Sequence, residues 1–419
     1  MRVLWLCNLI LPDFAEEFGV KKNPYGGWMT GMLHALDGEK SYEIGLCFPI
    51  KDIERMRDGV INGISVYSFH NNSEYPYIVS QDRIDRFIEI IKQYKPDIVH
   101  IWGSEYAWCL EMVVACEKMG LLDQTVINIQ GLVSVCAQHF LSGITDICGD
   151  VAVKYIVEIS KEKDLFEKRG INEETAIKKV KHVVGRTEWD KACITMINPC
   201  VEYNFVGEIL RDEIYGVVGQ WNYDKCDKHR IFVSQASYPI KGFHYLLTIL
   251  PDIIKKYPDV KVYVGGNDIV HAKEKTAYAI LLSELIETLD LREYVIFLGG
   301  LDCQGMIEQY KKANVFLSVS SIENSSNSLC EAMLVGTPVV SSYVGGVPSF
   351  VFHNENGLLY PESELLMLEY MILELFENKK LCEKISENAV NSMSEYVSKE
   401  KAVKGMMNVY EKIYSYTQV

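Results

Sequence analysis

The feature that most constrains this chain is an alternation of short apolar runs with amphipathic helical stretches, in two series. Between the runs, apolar residues recur at helical spacing, as Ile84, Phe87, Ile88, Ile91 and Tyr94 do. The first series predicts strands Val3–Cys7, Glu43–Phe48, Ile64–Phe69, Ile98–Trp102, Val126–Ile129 and His182–Gly185. The second predicts strands Ile231–Ser234, Val260–Val264, Val295–Leu298, Val315–Val319 and Val339–Ser341. Alternating strands and helices predict an α/β fold with two doubly wound parallel sheets.

An irregular polar stretch, Tyr215 to His229, separates the two series and is predicted to link two domains. A chain of 419 residues is also long for a single hydrophobic core. We therefore assign residues 1–214 to an N-terminal domain and residues 215–397 to a C-terminal domain. A last helix is predicted over residues 398–419.

Composition and charge limit which partners the protein can bind and which cellular compartment it is expected in. A formal net charge of −15 argues against nucleic acid, which would require a basic face. Mixed charges around Lys161 and Lys178 are typical of a solvated helix face, with a peripheral membrane contact as the alternative. No apolar stretch reaches the roughly 18 residues that span a bilayer, and Met1–Cys7 predicts a strand instead of a signal peptide. We expect a cytoplasmic protein. If the charged stretch around Lys161 and Lys178 contacts lipid, the protein would lie at the inner face of the membrane.

Two acids, Glu323 and Glu331, bracket a polar segment that joins a strand to a helix. Ligands of open α/β sheets bind at such carboxyl ends of strands. Ser328 and Glu331 fit an S-x-x-E capping box, and exposed N–H groups at a helix start suit a diphosphate. The N–H groups predicted to face the gap belong to Ser326, Asn327, Ser328 and Leu329. An ordinary acidic helix start is the alternative.

Two glycine-containing loops flank these acids. Lys241-Gly242 lies in a turn between the strand at Ile231 and a helix, and Gly345-Gly346 follows the strand at Val339. In this order the three elements resemble the C-terminal half of the retaining GT-B glycosyltransferases of glycosyltransferase family 4, the glycosyl transferases group 1. The resemblance covers Arg230 to about Glu362.

The resemblance implies a GT-B fold, in which two Rossmann-like domains face each other across a cleft and the last helix returns to the first domain. It implies transfer of a hexose-like sugar, with retention, from a nucleotide-diphosphate sugar to a hydroxyl of a glycan or lipid-linked acceptor. Surface polysaccharide or glycoconjugate synthesis is the expected role. Because no Asp-x-Asp sequence ends a strand, we expect no metal, and no cofactor besides the donor substrate.

The family's roles carry over to matching residues. Lys241 is expected to meet charge on the leaving diphosphate, Glu331 to accept hydrogen bonds from ribose, and Glu323 to contact the transferred sugar. Gly26 and Gly27 are expected to let the backbone approach the donor. The alternative for Lys241 is a solvated lysine in a turn. The alternative for Gly26 and Gly27 is a plain helix start.

The chain departs from the family pattern at two places. An arginine usually precedes the Lys-Gly turn, but Ser234-Gln235-Ala236-Ser237 stands here. Arg186 is the candidate to supply the missing charge, with a surface or interdomain ion pair as the alternative. Gln130 stands where histidine is common. Glu105, Gln130 and His139 are expected to line the acceptor or sugar side, whereas His100, flanked by Val99 and Ile101, is typical of a core histidine.

Two rival functions share the predicted fold. One is a nucleotide-sugar epimerase, which cleaves and rebuilds the same bond, and the other is a non-catalytic GT-B partner that recognises glycans. The nucleotide base, the sugar, the acceptor, the linkage and the oligomeric state stay open at this point.

Overall fold

A computed structural model describes residues 1–22, 26–38, 41–71, 74–266, 268–270 and 272–416. The chain forms two compact units. Unit 1 comprises residues 1–135, 165–210 and 397 onward, and unit 2 comprises residues 136–164 and 211–396. The domain bounds assigned from the sequence stay a prediction.

Unit 1 is built on an eight-stranded sheet with the strand order β3-β4-β2-β1-β5-β6-β7-β8. Its strands are β1 Arg2–Cys7, β2 Glu43–Ile50, β3 Gly59–Ile61, β4 Ile64–His70, β5 Ile98–Trp102, β6 Thr125–Asn128, β7 His182–Gly185 and β8 Glu202–Phe205. All pair in parallel except β3, which runs antiparallel to β4. The strand order reverses between β1 and β5, so the carboxyl ends of these two strands form a switch point.

The helices of the first half alternate with these strands. They are α1 Gly27–Asp37, α2 Gln81–Tyr94, α3 Ala107–Met119, α4 Val133–Gln138, α5 Ile144–Val153, α6 Ile156–Lys179 and α7 Glu188–Ile197. On α2 the residues Ile84, Phe87, Ile91 and Tyr94 are buried as their spacing predicts, while Ile88 is partly buried against the same core.

Unit 2 contains a six-stranded sheet with the order β11-β10-β9-β12-β13-β14, all parallel. Its strands are β9 Arg230–Val233, β10 Lys261–Gly265, β11 Val295–Gly299, β12 Val315–Ser318, β13 Val339–Ser342 and β14 Leu358–Tyr360. The later helices are α8 Asp212–Tyr215, α9 Phe243–Lys256, α10 Ala277–Thr288, α11 Cys303–Lys312, α12 Asn327–Val335, α13 Leu365–Glu377, α14 Lys379–Tyr396 and α15 Lys399–Ser415. Here the order reverses between β9 and β12.

The last helix, α15, packs within unit 1. The buried hydroxyl of Tyr410 accepts a hydrogen bond from Trp5 Nε1 at 3.0 Å and lies 2.6 Å from His100 Nδ1. The expected linker, in contrast, is packed into unit 2. Trp221 is buried there, and its Nε1 donates to the carbonyl of Ala313 at 2.7 Å.

The α/β class and both sheets are confirmed, and each predicted strand is present within one or two residues of its expected ends. Three short strands were not predicted. Strands β3 and β14 have three residues each, too few to show a period, and β8 is a half-exposed edge strand without an apolar run. The prediction of parallel sheets is wrong for β3. A hairpin turn at Asn62-Gly63 joins β3 to β4, so the two strands pair antiparallel.

Candidate functional site

Lys241 lies in a tight turn between β9 and α9. Residues Pro239–Lys241 form a single 3-10 turn, and Gly242 then takes a φ of 66° before α9 begins. A side chain at Gly242 would collide with the carbonyl oxygen of Val319 at the end of β12. Glycine is therefore required both by the left-handed backbone and by this close approach.

Glu323 lies in the loop after β12, and the glycine pair after β13 supports it. The N–H of Gly346 donates to the carbonyl of Glu323 at 2.9 Å. Gly345, with a φ of 48°, leaves no room for a side chain beside the same carbonyl. The glycine pair thus fixes the Glu323 backbone through a direct contact.

The side chains of Lys241 and Glu323 form an ion pair. Both are partly buried, and Ser320 Oγ donates to Glu323 Oε1 at 3.2 Å. The two residues meet because β9 and β12 are neighbours in the sheet, so the loops at their carboxyl ends share one edge. This edge is the topological switch point of unit 2, where open α/β sheets bind ligands.

The predicted capping box at Ser328 is wrong. Helix α12 begins earlier, with Ser326 as its N-cap, and no side chain in the described part of the chain caps it. The Ser328 hydroxyl instead contacts Ser234 Oγ at 2.9 Å and Ser326 Oγ at 3.1 Å. The cause is tertiary, because Ser234 directly follows β9 and its hydroxyl competes for that of Ser328.

The helix start nevertheless presents open donors. Among the described residues, none accepts a hydrogen bond from the backbone N–H of Ser326, Asn327, Ser328 or Leu329. Unsatisfied N–H groups at the positive end of a helix form a binding site for anions. Lys241 and the hydroxyls of Ser234 and Ser328 belong to the same switch-point loops.

Glu331 lies in the second turn of α12, two residues further into the helix than the capping box implies, and is buried. Arg211 binds it with two hydrogen bonds, from Nε to Oε1 at 2.8 Å and from Nη2 to Oε2 at 2.6 Å. Tyr310 donates its hydroxyl to Oε2 at 2.9 Å. Burial and the neighbouring carboxylate hold the pKa of Tyr310 well above its ordinary value, so this hydroxyl stays a donor.

The loop at His139 also belongs to this side of unit 2. The carbonyl of His139 accepts from Ser321 Oγ at 3.2 Å, and Ser321 Oγ lies 3.3 Å from the carbonyl of Ile240. His139 is therefore near the residues that precede Lys241 and Glu323. Its expected role in lining the acceptor or sugar side stays a prediction.

In unit 1, Gly26 is the N-cap of α1 with a φ of 99°, and Gly27 is the first helical residue. A side chain at Gly26 would approach Leu9 Cδ1 to 2.8 Å. No side chain of the described residues caps this helix, so its first turn also has backbone donors without a side-chain acceptor there. Residues 23–25 of the loop before it lie outside the described part of the chain.

Glu105 follows β5, at the switch point of unit 1. Asn8, which follows β1, donates from Nδ2 to Glu105 Oε2 at 2.6 Å. The neighbouring Ser104 donates to Glu173 Oε1 at 2.6 Å, and burial raises the pKa of Glu173 to about 7. Asn8 and Glu173 were not predicted from the sequence.

Gln130 and Arg186 come together at the ends of β6 and β7. Gln130 donates to Asn128 Oδ1 at 2.6 Å, and Arg186 Nη2 lies 3.3 Å from Gln130 Oε1. Arg186 Nη1 forms a buried ion pair with Glu208 Oε2 at 2.6 Å. With Trp28 and Trp102 these residues line a cavity of about 20 Å³, room for about one water molecule. Arg186 thus forms an ion pair, but it is buried within unit 1 and is not the surface or interdomain pair given as the alternative. Its supply of charge to a phosphate stays a prediction.

His100 is a core histidine. It is fully buried, stacks on Trp102 with ring centroids 4.1 Å apart, and contacts Tyr410. Burial lowers its pKa to about 3, so the ring is neutral at physiological pH.

Two residues that contact Glu331 were missed by sequence reasoning, Arg211 and Tyr310. They lie 120 and 21 residues from Glu331 along the chain. Arg211 stands just before the polar stretch that separates the two predicted domains, and no local pattern distinguishes it from a surface arginine.

Residues 220–392 match the family model described as Glycosyl transferases group 1. Lys241, Glu323 and Glu331 all lie within this match, which covers less than half of the chain. The motif-based resemblance is therefore confirmed at the level of the group 1 glycosyltransferases.

Curated relatives align over part of their length. An uncharacterised glycosyltransferase of Methanocaldococcus jannaschii is 29% identical over 44% of this chain and 45% of its own. N-acetyl-alpha-D-glucosaminyl L-malate synthase of Bacillus anthracis is 28% identical over 31% of this chain and 33% of its own. The chain thus spans less than half the length of these relatives.

Solved structures match over nearly the whole chain. Sucrose-phosphate synthase from Thermosynechococcus elongatus superposes with a TM-score of 0.74 at 14% identity, covering 99% of both chains. Anabaena HepE in complex with UDP and glucose gives a TM-score of 0.66 at 16% identity, covering 98% of this chain and all of that one. At this identity the likeness establishes the fold, and the expected GT-B architecture is confirmed. None of the described helices is long and apolar enough to cross a membrane.

Proposed function

We propose that this chain is a retaining glycosyltransferase of family 4. It transfers a sugar from a nucleoside-diphosphate sugar to a hydroxyl acceptor, without a metal ion. The acceptor is a glycan or lipid-linked glycan, and surface polysaccharide synthesis is the proposed role.

The observation that carries this proposal is the uncapped start of α12 beside Lys241. Four backbone N–H groups without acceptors among the described residues lie at the switch point where Lys241 and Glu323 meet. An anion that binds at this edge would gain both the helix dipole and a cation. A diphosphate meets these requirements, and its sugar and ribose would then extend toward the two acids.

Donor binding would change the partner of Lys241. In the structure Glu323 neutralises it. A bound diphosphate would compete for the ammonium group and release the Glu323 carboxylate to accept hydrogen bonds from sugar hydroxyls. One exchange would then prepare both residues, the lysine for the leaving group and the acid for the sugar.

The reaction breaks the bond between the anomeric carbon and the phosphate oxygen and forms a bond from that carbon to the acceptor oxygen. The acceptor hydroxyl proton passes to the leaving phosphate, so no side chain acts as a base. Charge grows on the phosphate as the bond lengthens, and preorganised donors stabilise it most at that stage. Lys241 and the N–H groups of α12 would supply these donors.

Binding of nucleoside diphosphates is the first test. Uridine, adenosine and guanosine diphosphates should be screened by thermal shift and calorimetry with chelator present. A ligand at about 100 times its dissociation constant should add about 2.7 kcal/mol of stability. Absence of binding by all three would contradict the proposal.

Turnover is the second test. Release of nucleoside diphosphate from the matching sugar donor, followed by NMR of the anomeric proton of the product, reports both transfer and stereochemistry. Inversion at the anomeric carbon would refute retention, and dependence on a divalent cation would refute metal independence. Isomerisation of the donor without an acceptor would favour the epimerase alternative.

A further inference from the structure

Glu331, the acid proposed to bind ribose, accepts hydrogen bonds from both Arg211 and Tyr310. Arg211 donates to both oxygens of Glu331, at 2.8 and 2.6 Å, and Tyr310 donates to Oε2 at 2.9 Å. The side chains of Arg211 and Glu331 are only 18% and 5% exposed, so water competes little for these contacts.

A carboxylate has about four lone-pair sites, two on each oxygen. Arg211 and Tyr310 occupy both sites on Oε2, whereas among the described residues only Arg211 Nε occupies a site on Oε1. One acceptor site therefore remains, and it is on Oε1. The planar guanidinium fork also fixes the plane of the carboxylate, which a single lysine contact would not do.

We propose that Arg211 is a positioning residue that prepares Glu331 to accept one hydroxyl of the donor ribose. The inference rests on the proposed function and deepens it. Glu331 accepts a hydrogen bond from a single ribose hydroxyl, on either C2 or C3. Arg211 makes this contact possible by orienting Oε1. Arg211 itself does not need to touch the nucleotide.

A purely structural role for Arg211 would look different in one measurable respect. If it only stabilised the fold of unit 2, its removal would weaken every nucleotide equally. If it acts through Glu331, its removal should abolish the difference between a ribonucleotide and the analogue that lacks the recognised hydroxyl. The ratio of the two dissociation constants separates these roles.

The experiment uses the full chain and whichever of uridine, adenosine or guanosine diphosphate binds it most tightly. Calorimetry then compares that nucleotide with its 2′-deoxy and 3′-deoxy analogues. Hydrogen bonds to charged groups correspond to about a tenfold to hundredfold effect on affinity. One deoxy analogue should bind the wild type at least about tenfold more weakly, and the other should bind nearly as well as the ribonucleotide.

In Arg211→Met the ratio should fall to near one. Arg230→Met is the matched control, because Arg230 is also a buried arginine of unit 2 but pairs with Asp227 and Gln309 at the opposite end of β9. This control should keep the wild-type ratio. Arg211→Lys retains the charge without the fork, and its ratio should lie between those of the wild type and Arg211→Met. If Arg211→Met does not fold, the lysine variant decides the test.

Three results would overturn the inference, and they are distinguishable. An unchanged ratio in Arg211→Met, or in Arg211→Lys where only that variant folds, would show that the arginine is structural and leave the proposed function intact. A wild type that binds the ribonucleotide and both deoxy analogues equally would refute ribose recognition by Glu331 while preserving nucleotide binding. A wild type that binds none of the three nucleotides would overturn the proposed function and this inference together.

Discussion

Lys241 and Glu323 neutralise each other at the carboxyl ends of two neighbouring strands, β9 and β12. Each was predicted to contact a different part of one ligand, and each now has the other as its partner. The ion pair gives each of these side chains a partner of opposite charge at the switch point of unit 2. It also means that any diphosphate must compete with Glu323 for the lysine.

Replacement of Lys241 by alanine should lower turnover more than nucleotide affinity, because the lysine is proposed to meet charge that grows in the transition state. Loss of one such contact typically lowers turnover about a hundredfold. Steady-state rates and calorimetry on the purified variant check this. Lys255→Ala, which removes an exposed lysine of α9 paired with Asp252, should behave as the wild type. Near wild-type turnover in Lys241→Ala would remove this lysine from the mechanism.

Glu323→Ala should separate the sugar from the nucleotide. Affinity for the bare nucleoside diphosphate should persist or rise, since Lys241 loses its internal competitor, while transfer should fall about a hundredfold or more. Initial transfer rates and nucleotide affinity, both measured with chelator, provide the check. Normal sugar transfer by the folded variant would contradict the proposed contact between Glu323 and the sugar. Activity restored by a divalent ion would indicate a metal role instead.

Glu331→Gln should weaken nucleoside diphosphate binding by about tenfold, the effect of losing a charged acceptor. It should also lower the free energy of unfolding by about 1–3 kcal/mol, because the buried Arg211 would face a neutral amide. Calorimetry and urea unfolding measure the two effects. Glu369→Gln, at a more exposed ion pair with Lys256, should change stability by less than about 1 kcal/mol. Unchanged nucleotide affinity would contradict the ribose assignment.

The buried His100 predicts a pH dependence of stability. Its pKa is lowered by burial to about 3 in the folded chain, against an unfolded value of about 6.5. Between these values the unfolded state binds a proton that the native state does not, so this histidine lowers stability as pH falls through about 6.5. From pH 7 to pH 5 the loss should be about 2 kcal/mol.

The measurement is the difference in unfolding free energy between the wild type and His100→Gln at several pH values. The wild type should lose stability more steeply than the variant on acidification, because glutamine does not titrate. If the two curves run parallel, His100 binds protons equally in the folded and unfolded states, and this prediction is wrong.

The order of elements was determined by the sequence to a large extent. Apolar runs and helical spacing predicted both sheets, because burial of one face imposes a period that is visible locally. The same local signals placed Lys241 and Glu323 in loops after strands. The misplaced start of α12 marks the limit of this reasoning, since Ser328 has the right residue type for a cap but contacts Ser234 instead.

Only the tertiary structure decided which of these residues meet. Strand order brings the ends of β9 and β12 together, and no spacing along the chain encodes that adjacency. The Arg211–Glu331 pair joins residues 120 positions apart, and the burial that makes it strong comes from the packed unit. The sequence by itself therefore determined the elements and the chemical types in their loops. Folding decided the partners, because hydrogen bonds and ion pairs depend on distances in space and on exclusion of water.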